Sequence, residues 1–194
     1  MNHDLPQGPF RTSRNLVLAS ASPRRQHLLA ALGLHFVVQP GSFKEPQPDP
    51  GVPPQQYVLD MARLKAGRVA AQQTDSVILA ADTAVVLGEK ILGKPLGKKE
   101  ALTMLLSLSG RTHAVLTACC ILDTRDEAEE TFVVSTDVSM ARYPPSVLES
   151  YVDSGESFDK AGSYAIQGSG CFLVSSIQGS CSNVIGLPVQ ETLA

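Results

Sequence analysis

The chain of 194 residues contains no tryptophan, and aromatic residues make up only 5% of it. It therefore lacks the stacking platforms on which single-stranded nucleic acids rest. It has no excess of basic charge either: 16 Lys and Arg against 19 Asp and Glu leave a net charge of −3, which does not build a duplex-binding surface. No apolar run reaches the roughly 20 residues of a membrane-spanning helix, and the polar N-terminal stretch lacks the apolar core of a signal peptide. A cytoplasmic location, without membrane or nucleic-acid partners, is the expectation. The four cysteines, Cys119, Cys120, Cys171 and Cys181, form no C-x-x-C pair. Neither a zinc knuckle nor a disulfide framework is indicated, and the adjacent Cys119 and Cys120 read as small hydrophobes of a strand.

What is present is ordinary for a folded protein: 43% hydrophobic and 18% charged residues, enough to bury a sizeable core. Strand and helix patterns alternate without internal repeats. The pattern predicts a strand over 16–19, a helix ending at Gly33, a short strand over 35–38, and a proline-rich loop over 40–54. A helix over 55–73 and a strand over 77–87 follow, with a hairpin turn at Gly88-Glu89 leading into 90–92. Further on come a helix over 98–108, a hairpin of strands 112–122 and 131–141, and a helix from Pro144-Pro145 to Gly155. A glycine-rich loop over 159–170 precedes a strand over 171–177. The hairpins break any purely parallel arrangement, so the fold class is α/β with a mixed sheet flanked by helices.

Three features carry chemistry. Ser20-Ala21-Ser22-Pro23-Arg24-Arg25 follows the first strand directly. Ser22 suits an N-cap and Pro23 the first helical position, so two guanidiniums stand at a helix N-terminus that already favours an anion. In the second helix Lys65 falls within the apolar stripe of Val58, Met61, Ala62 and Val69; it either snorkels to solvent or meets an anion. Asp82 is the sole charge in an eleven-residue run from Val77 to Leu87. A carboxylate there is exposed at a strand end or is directed at a cation or a water molecule. Two motif matches fail: Gly88 to Lys94 satisfies G-x-x-x-x-G-K but is followed by Pro95 instead of Ser or Thr, and Gly168-Ser169-Gly170 lacks a third glycine. His113 reads as a structural residue.

Ser20 to Arg25, Ala81-Asp82-Thr83, Gly93-Lys94-Pro95, Ser109-Gly110-Arg111-Thr112-His113, the stretch from Asp159 to Gly168, and Gly186-Leu187-Pro188 occur in that order. Together they resemble the Maf family of nucleoside triphosphate pyrophosphatases, from about Leu16 to Leu187. The resemblance implies residues 15–194 as one domain behind a polar extension of residues 1–14, with two lobes around a deep cleft. It implies hydrolysis of a nucleoside triphosphate to monophosphate and pyrophosphate with a divalent cation, Mg2+ or Mn2+. On the matching positions Asp82 is the catalytic acid–base group, and Glu45 and Asp82 are the metal ligands. Ser20, Arg25, Lys65 and Lys94 hold phosphates. Arg24, Thr83 and Gln167 agree with the branch acting on dTTP and UTP and related modified pyrimidines, in a house-cleaning role. The branch acting on 7-methyl-GTP has Trp, Gln and Glu at those places. That branch, and a nucleotide-binding regulator of septum formation, are the alternatives; a homodimer is compatible with the resemblance. Leu64 and Lys44 depart from the family pattern, and a lysine beside Glu45 disfavours a cation there.

Overall fold

Short Leu- and Val-rich runs separated by helical patterns fold as parallel strands with helical crossovers, because parallel neighbours need a long connection between them. The computed structural model describes residues 8–41, 46–49 and 51–194. Strand β1 (Asn15–Leu18) leads into helix α1 (Pro23–Ala31), β2 (Val37–Val38), α2 (Pro54–Ala70) and β3 (Ser76–Leu87). The chain continues through β4 (Lys90–Leu92), α3 (Lys98–Leu108), β5 (Thr112–Asp123), β6 (Glu129–Met140) and α4 (Pro145–Asp153). It ends with β7 (Val174–Gln178), α5 (Cys181–Ile185) and α6 (Val189–Leu193). Among the described residues the sheet order is β2-β1-β3-β5-β6-β7, and β4 pairs with β3. The sheet is mixed, as the hairpins predict.

The chain divides into two compact units. The first comprises residues up to Asp82 with Ala118–Val133 and Val189–Ala194. Here β1 lies parallel to both neighbours, with Val17 opposite Val37 on β2 and Leu18 opposite Leu79 on β3. The buried stripe of α2 is Val58, Met61, Ala62, Ala66 and Val69, the face its spacing predicts. Ahead of β1, the Phe10 N–H donates to Leu32 O at 3.1 Å, and Gly8 crosses the end of α1 so closely that a Cβ would collide with the Leu32 backbone. Arg14 grips Asp123 with two hydrogen bonds of 2.8 Å.

The second unit comprises Thr83–Thr117 and Val134–Pro188. Its core gathers Val85, Leu92, Leu105, Leu108, Val138, Leu148 and Leu173. Gly88 turns at φ +64°, and Leu87 then pairs with Lys90 and Val85 with Leu92 in an antiparallel hairpin. The G-x-x-x-x-G-K match is therefore a turn and a strand, not a phosphate-binding loop. One expected boundary is wrong. Residues 168–173 form a 3-10 helix, and the strand begins only at Val174. The Glu156 carboxylate explains the difference: it accepts the N–H groups of Ser169 at 3.0 Å and Gly170 at 3.1 Å, which commits them to a helical first turn. The short helices α5 and α6 are not apparent from the sequence pattern.

Candidate active site

The chain leaves β1 through α1 toward β2 on one side and returns through α2 to β3 on the other. The two connections thus pass on opposite sides of β1, whose carboxyl end stands beside the middle of β3, with Leu18 opposite Leu79. In open parallel sheets such a switch point is where ligands bind, because the backbone there opens a crevice with a helix N-terminus directed at it.

Four sequence-derived residues sit around this point in two pairs. Ala19 extends the ladder by donating its N–H to Leu79 O at 2.8 Å, and Ser20 then opens the turn into α1. The Ser20 hydroxyl oxygen accepts the Ser22 N–H at 3.2 Å and Arg25 Nη1 at 3.0 Å. Ser22 occupies the N-cap position as expected, with Pro23 behind it, but its side chain makes no capping bond. The Ser20 hydroxyl instead holds the turn ahead of the helix, through the Ser22 N–H and the Arg25 guanidinium. Of the two guanidiniums, Arg25 is buried and Arg24 half-buried. A guanidinium held in the first turn of a helix adds full positive charge to the partial charge of the N-terminal N–H groups.

The second pair joins α2 to β3. Lys65 Nζ donates to Asp82 Oδ1 at 2.5 Å, with the two side chains only 14% and 10% exposed. Of the two fates open to Lys65, the structure selects the anion, and Asp82 lies inside a continuous strand instead of at an exposed end. A carboxylate so far withdrawn from water requires a partner charge, and so does the ammonium.

Glu45 lies outside the described residues. Among the described residues no group of three His, Cys, Asp or Glu side chains could hold a metal ion. The donor chemistry still fits a magnesium-like ion, which commonly takes one or two carboxylates and completes its shell with substrate phosphates and water. Asp82 offers one such oxygen donor.

Three residues fall in the second unit. Thr83 is half-buried, and its hydroxyl lies 2.9 Å from the Thr117 hydroxyl. Lys94 follows β4 and is exposed. Gln167 is exposed immediately before the 3-10 helix at 168–173, at the turn the Glu156 carboxylate anchors. Glu156 also accepts the Ser169 hydroxyl at 2.5 Å. Burial works against its ionisation, but the hydrogen bonds from Ser169 and Gly170 outweigh it and hold this carboxyl below the usual range. Sequence reasoning missed Glu156, and the only available signal was an acidic residue beside Gly155, shortly before a glycine-rich loop.

His113 is buried, with Nε2 2.6 Å from the Tyr164 hydroxyl. Burial pushes its pKa down to about 4, so it is a neutral core residue as the sequence reading held. Burial likewise raises the thiols of Cys119 and Cys120, to about 11 and about 12. Both behave as core hydrophobes. Among the described residues no helix is long and apolar enough to cross a membrane.

The chain is similar to known proteins over nearly its whole length. The dTTP/UTP pyrophosphatase of Anaeromyxobacter dehalogenans (strain 2CP-1) is 49% identical over 181 residues, covering 92% of this chain and 91% of that protein. The dTTP/UTP pyrophosphatase of Nitratidesulfovibrio vulgaris (strain Hildenborough) is 46% identical, covering 96% and 89%. That of Myxococcus xanthus (strain DK1622) is 48% identical, covering 92% and 89%. A solved nucleoside-triphosphatase / dITP/XTP pyrophosphatase from Mycobacterium abscessus aligns over 92% of both chains at 14% identity, with a TM-score of 0.43. The family model for Maf-like protein matches residues 15–194, and the chain belongs to that family.

Proposed function

We propose that this protein hydrolyses dTTP and UTP to the monophosphate and pyrophosphate. The observation that carries the reading is the withdrawn Lys65–Asp82 pair in β3, three residues past the Leu79 that pairs with the end of β1, where the Ser20–Arg25 pair follows. A buried acid–cation pair, with a second cation in the first turn of α1, suits a polyphosphate: the cations balance its charge, and the acid takes a proton from water. The names of the relatives, dTTP/UTP pyrophosphatases at 46–49% identity, support the choice of substrate.

In the proposed reaction a water molecule attacks the α-phosphorus and the Asp82 carboxylate accepts its proton. The new bond joins the water oxygen to phosphorus. The bond that breaks joins the α-phosphorus to the bridging oxygen, so pyrophosphate leaves with the electron pair. Lys65 keeps Asp82 oriented through Oδ1, and Arg25 with Ser20 stabilises the charge growing on the phosphates. Lys94 is assigned to the phosphates as well, and Arg24, Thr83 and Gln167 to choosing the base. A divalent cation held by Asp82 and Glu45 would supply further neutralisation of the triphosphate.

Pyrophosphate release from a panel of triphosphates with Mg2+ or Mn2+ tests the reading. Turnover of dTTP and UTP above the purine nucleotides is expected. Inactivity on every triphosphate, or preference for 7-methyl-GTP, overturns it. In isotopically labelled water the label is expected in the monophosphate; label in pyrophosphate contradicts attack at the α-phosphorus.

A further inference from the structure

A buried hydrogen-bond relay ends on Thr83. Asn183 is completely buried, and its amide nitrogen donates to Val115 O at 3.0 Å and to Thr136 Oγ1 at 2.9 Å. Its N–H donates to the Ser180 hydroxyl that caps α5. These bonds fix the Asn183 backbone carbonyl in place. That carbonyl accepts the Gly186 N–H at 2.9 Å and the Thr117 hydroxyl at 3.1 Å.

Thr117 is also completely buried. A hydroxyl has one hydrogen and two lone pairs. A carbonyl can only accept, so the Thr117 hydrogen goes to Asn183 O. The 2.9 Å contact between the Thr117 and Thr83 hydroxyls then needs its hydrogen from Thr83. With that hydrogen committed, whatever else meets the Thr83 oxygen must come as a donor.

We propose that Thr117 and the Asn183 carbonyl fix Thr83 as an acceptor toward the nucleobase, so that it takes the N3–H of uracil or thymine and turns away cytosine. Uracil and thymine carry one N–H on the pairing edge, at N3, whereas cytosine presents a lone pair there. Two facing acceptors leave a polar group unpaired, the kind of mismatch from which a site gains discrimination. Thr117 and Asn183 act through Thr83 and are positioning residues. The inference rests on the dTTP/UTP reading above.

The test is kcat/KM for UTP, dTTP and CTP in the wild type, Thr117→Val and Thr117→Ser. Valine keeps the shape but removes the relay, freeing the Thr83 hydrogen to turn toward cytosine N3. The UTP-to-CTP ratio is expected to fall about tenfold or more in Thr117→Val and to stay near the wild-type value in Thr117→Ser. A parallel loss on all three substrates, with the ratio unchanged, overturns the proposal while leaving the proposed function standing. A wild type inactive on UTP and dTTP overturns that function, and this inference with it. Should Thr117→Val not fold, the wild type is assayed with N3-methyl-UTP. Loss relative to UTP supports the relay, and equal turnover overturns it.

Discussion

The Lys65 ammonium and the Asp82 carboxylate meet at 2.5 Å between a helix and a strand, each side chain almost withdrawn from solvent. Breaking such a pair costs more than the pair contributes, because the surviving charge remains buried without its partner.

The consequence is that Asp82→Asn and Lys65→Met should fail differently. Asp82→Asn removes the proton acceptor, and hydrolysis is expected to fall by about 100-fold or more. Asparagine keeps a carbonyl oxygen for Lys65, so the fold persists, with a lowered melting temperature. Lys65→Met leaves Asp82 as a buried lone anion and should destabilise by about 3 kcal/mol or more. The double variant Lys65→Met with Asp82→Asn is expected to recover much of that stability without recovering activity. Thermal melts and pyrophosphate release on the same samples check both. Wild-type hydrolysis by Asp82→Asn removes it as the acceptor.

Asp82 was legible because a single charge inside an apolar run is conspicuous, and Lys65 because helical periodicity puts it among Val58, Met61 and Val69. Both signals are local. The relay from Asn183 is not local: Thr117 lies 34 residues from Thr83 and 66 from Asn183, and no periodicity links threonines on neighbouring strands to an asparagine in a five-residue helix. The start of β7 is not legible for the same reason. Cys171, Phe172 and Leu173 look like the opening of a strand, but Glu156, 13 residues before Ser169, claims the N–H groups just ahead of them.

His113 gives a pH dependence of known sign. Burial holds its folded pKa at about 4, against 6.5 for an ordinary histidine. Between these values the unfolded chain binds a proton that the folded protein does not. Stability is therefore full above pH 6.5 and falls as the pH drops toward 4, by about 3 kcal/mol from this group. Denaturant midpoints between pH 4 and 7 are expected to fall less steeply for His113→Gln than for the wild type. The histidine ring resonances report the same property directly: one ring should stay neutral down to about pH 5.

Glu156 makes a prediction of the same sign for the loop beside Gln167, in the carboxylate range. Its carboxyl is held below the usual range by hydrogen bonds that offset its burial, so it stabilises the loop above the unfolded carboxyl pKa. That contribution is lost as the pH falls through the lower folded value. Four donors converge on it: the Ser169 N–H and hydroxyl, the Gly170 N–H, and the Tyr151 hydroxyl at 3.3 Å. Gly168, at φ +75°, passes so close that a Cβ would sit 3.0 Å from both carboxylate oxygens. Glu156→Ala should remove about 2 kcal/mol of stability, the scale of hydrogen bonds to a charged group. If Gln167 serves base selection, this variant should also raise KM for UTP more than it lowers kcat, because the chemistry at Asp82 is untouched. Steady-state kinetics on the folded fraction decide it: an unchanged KM with a reduced kcat would mean that the anchored turn serves the reaction and not the choice of base.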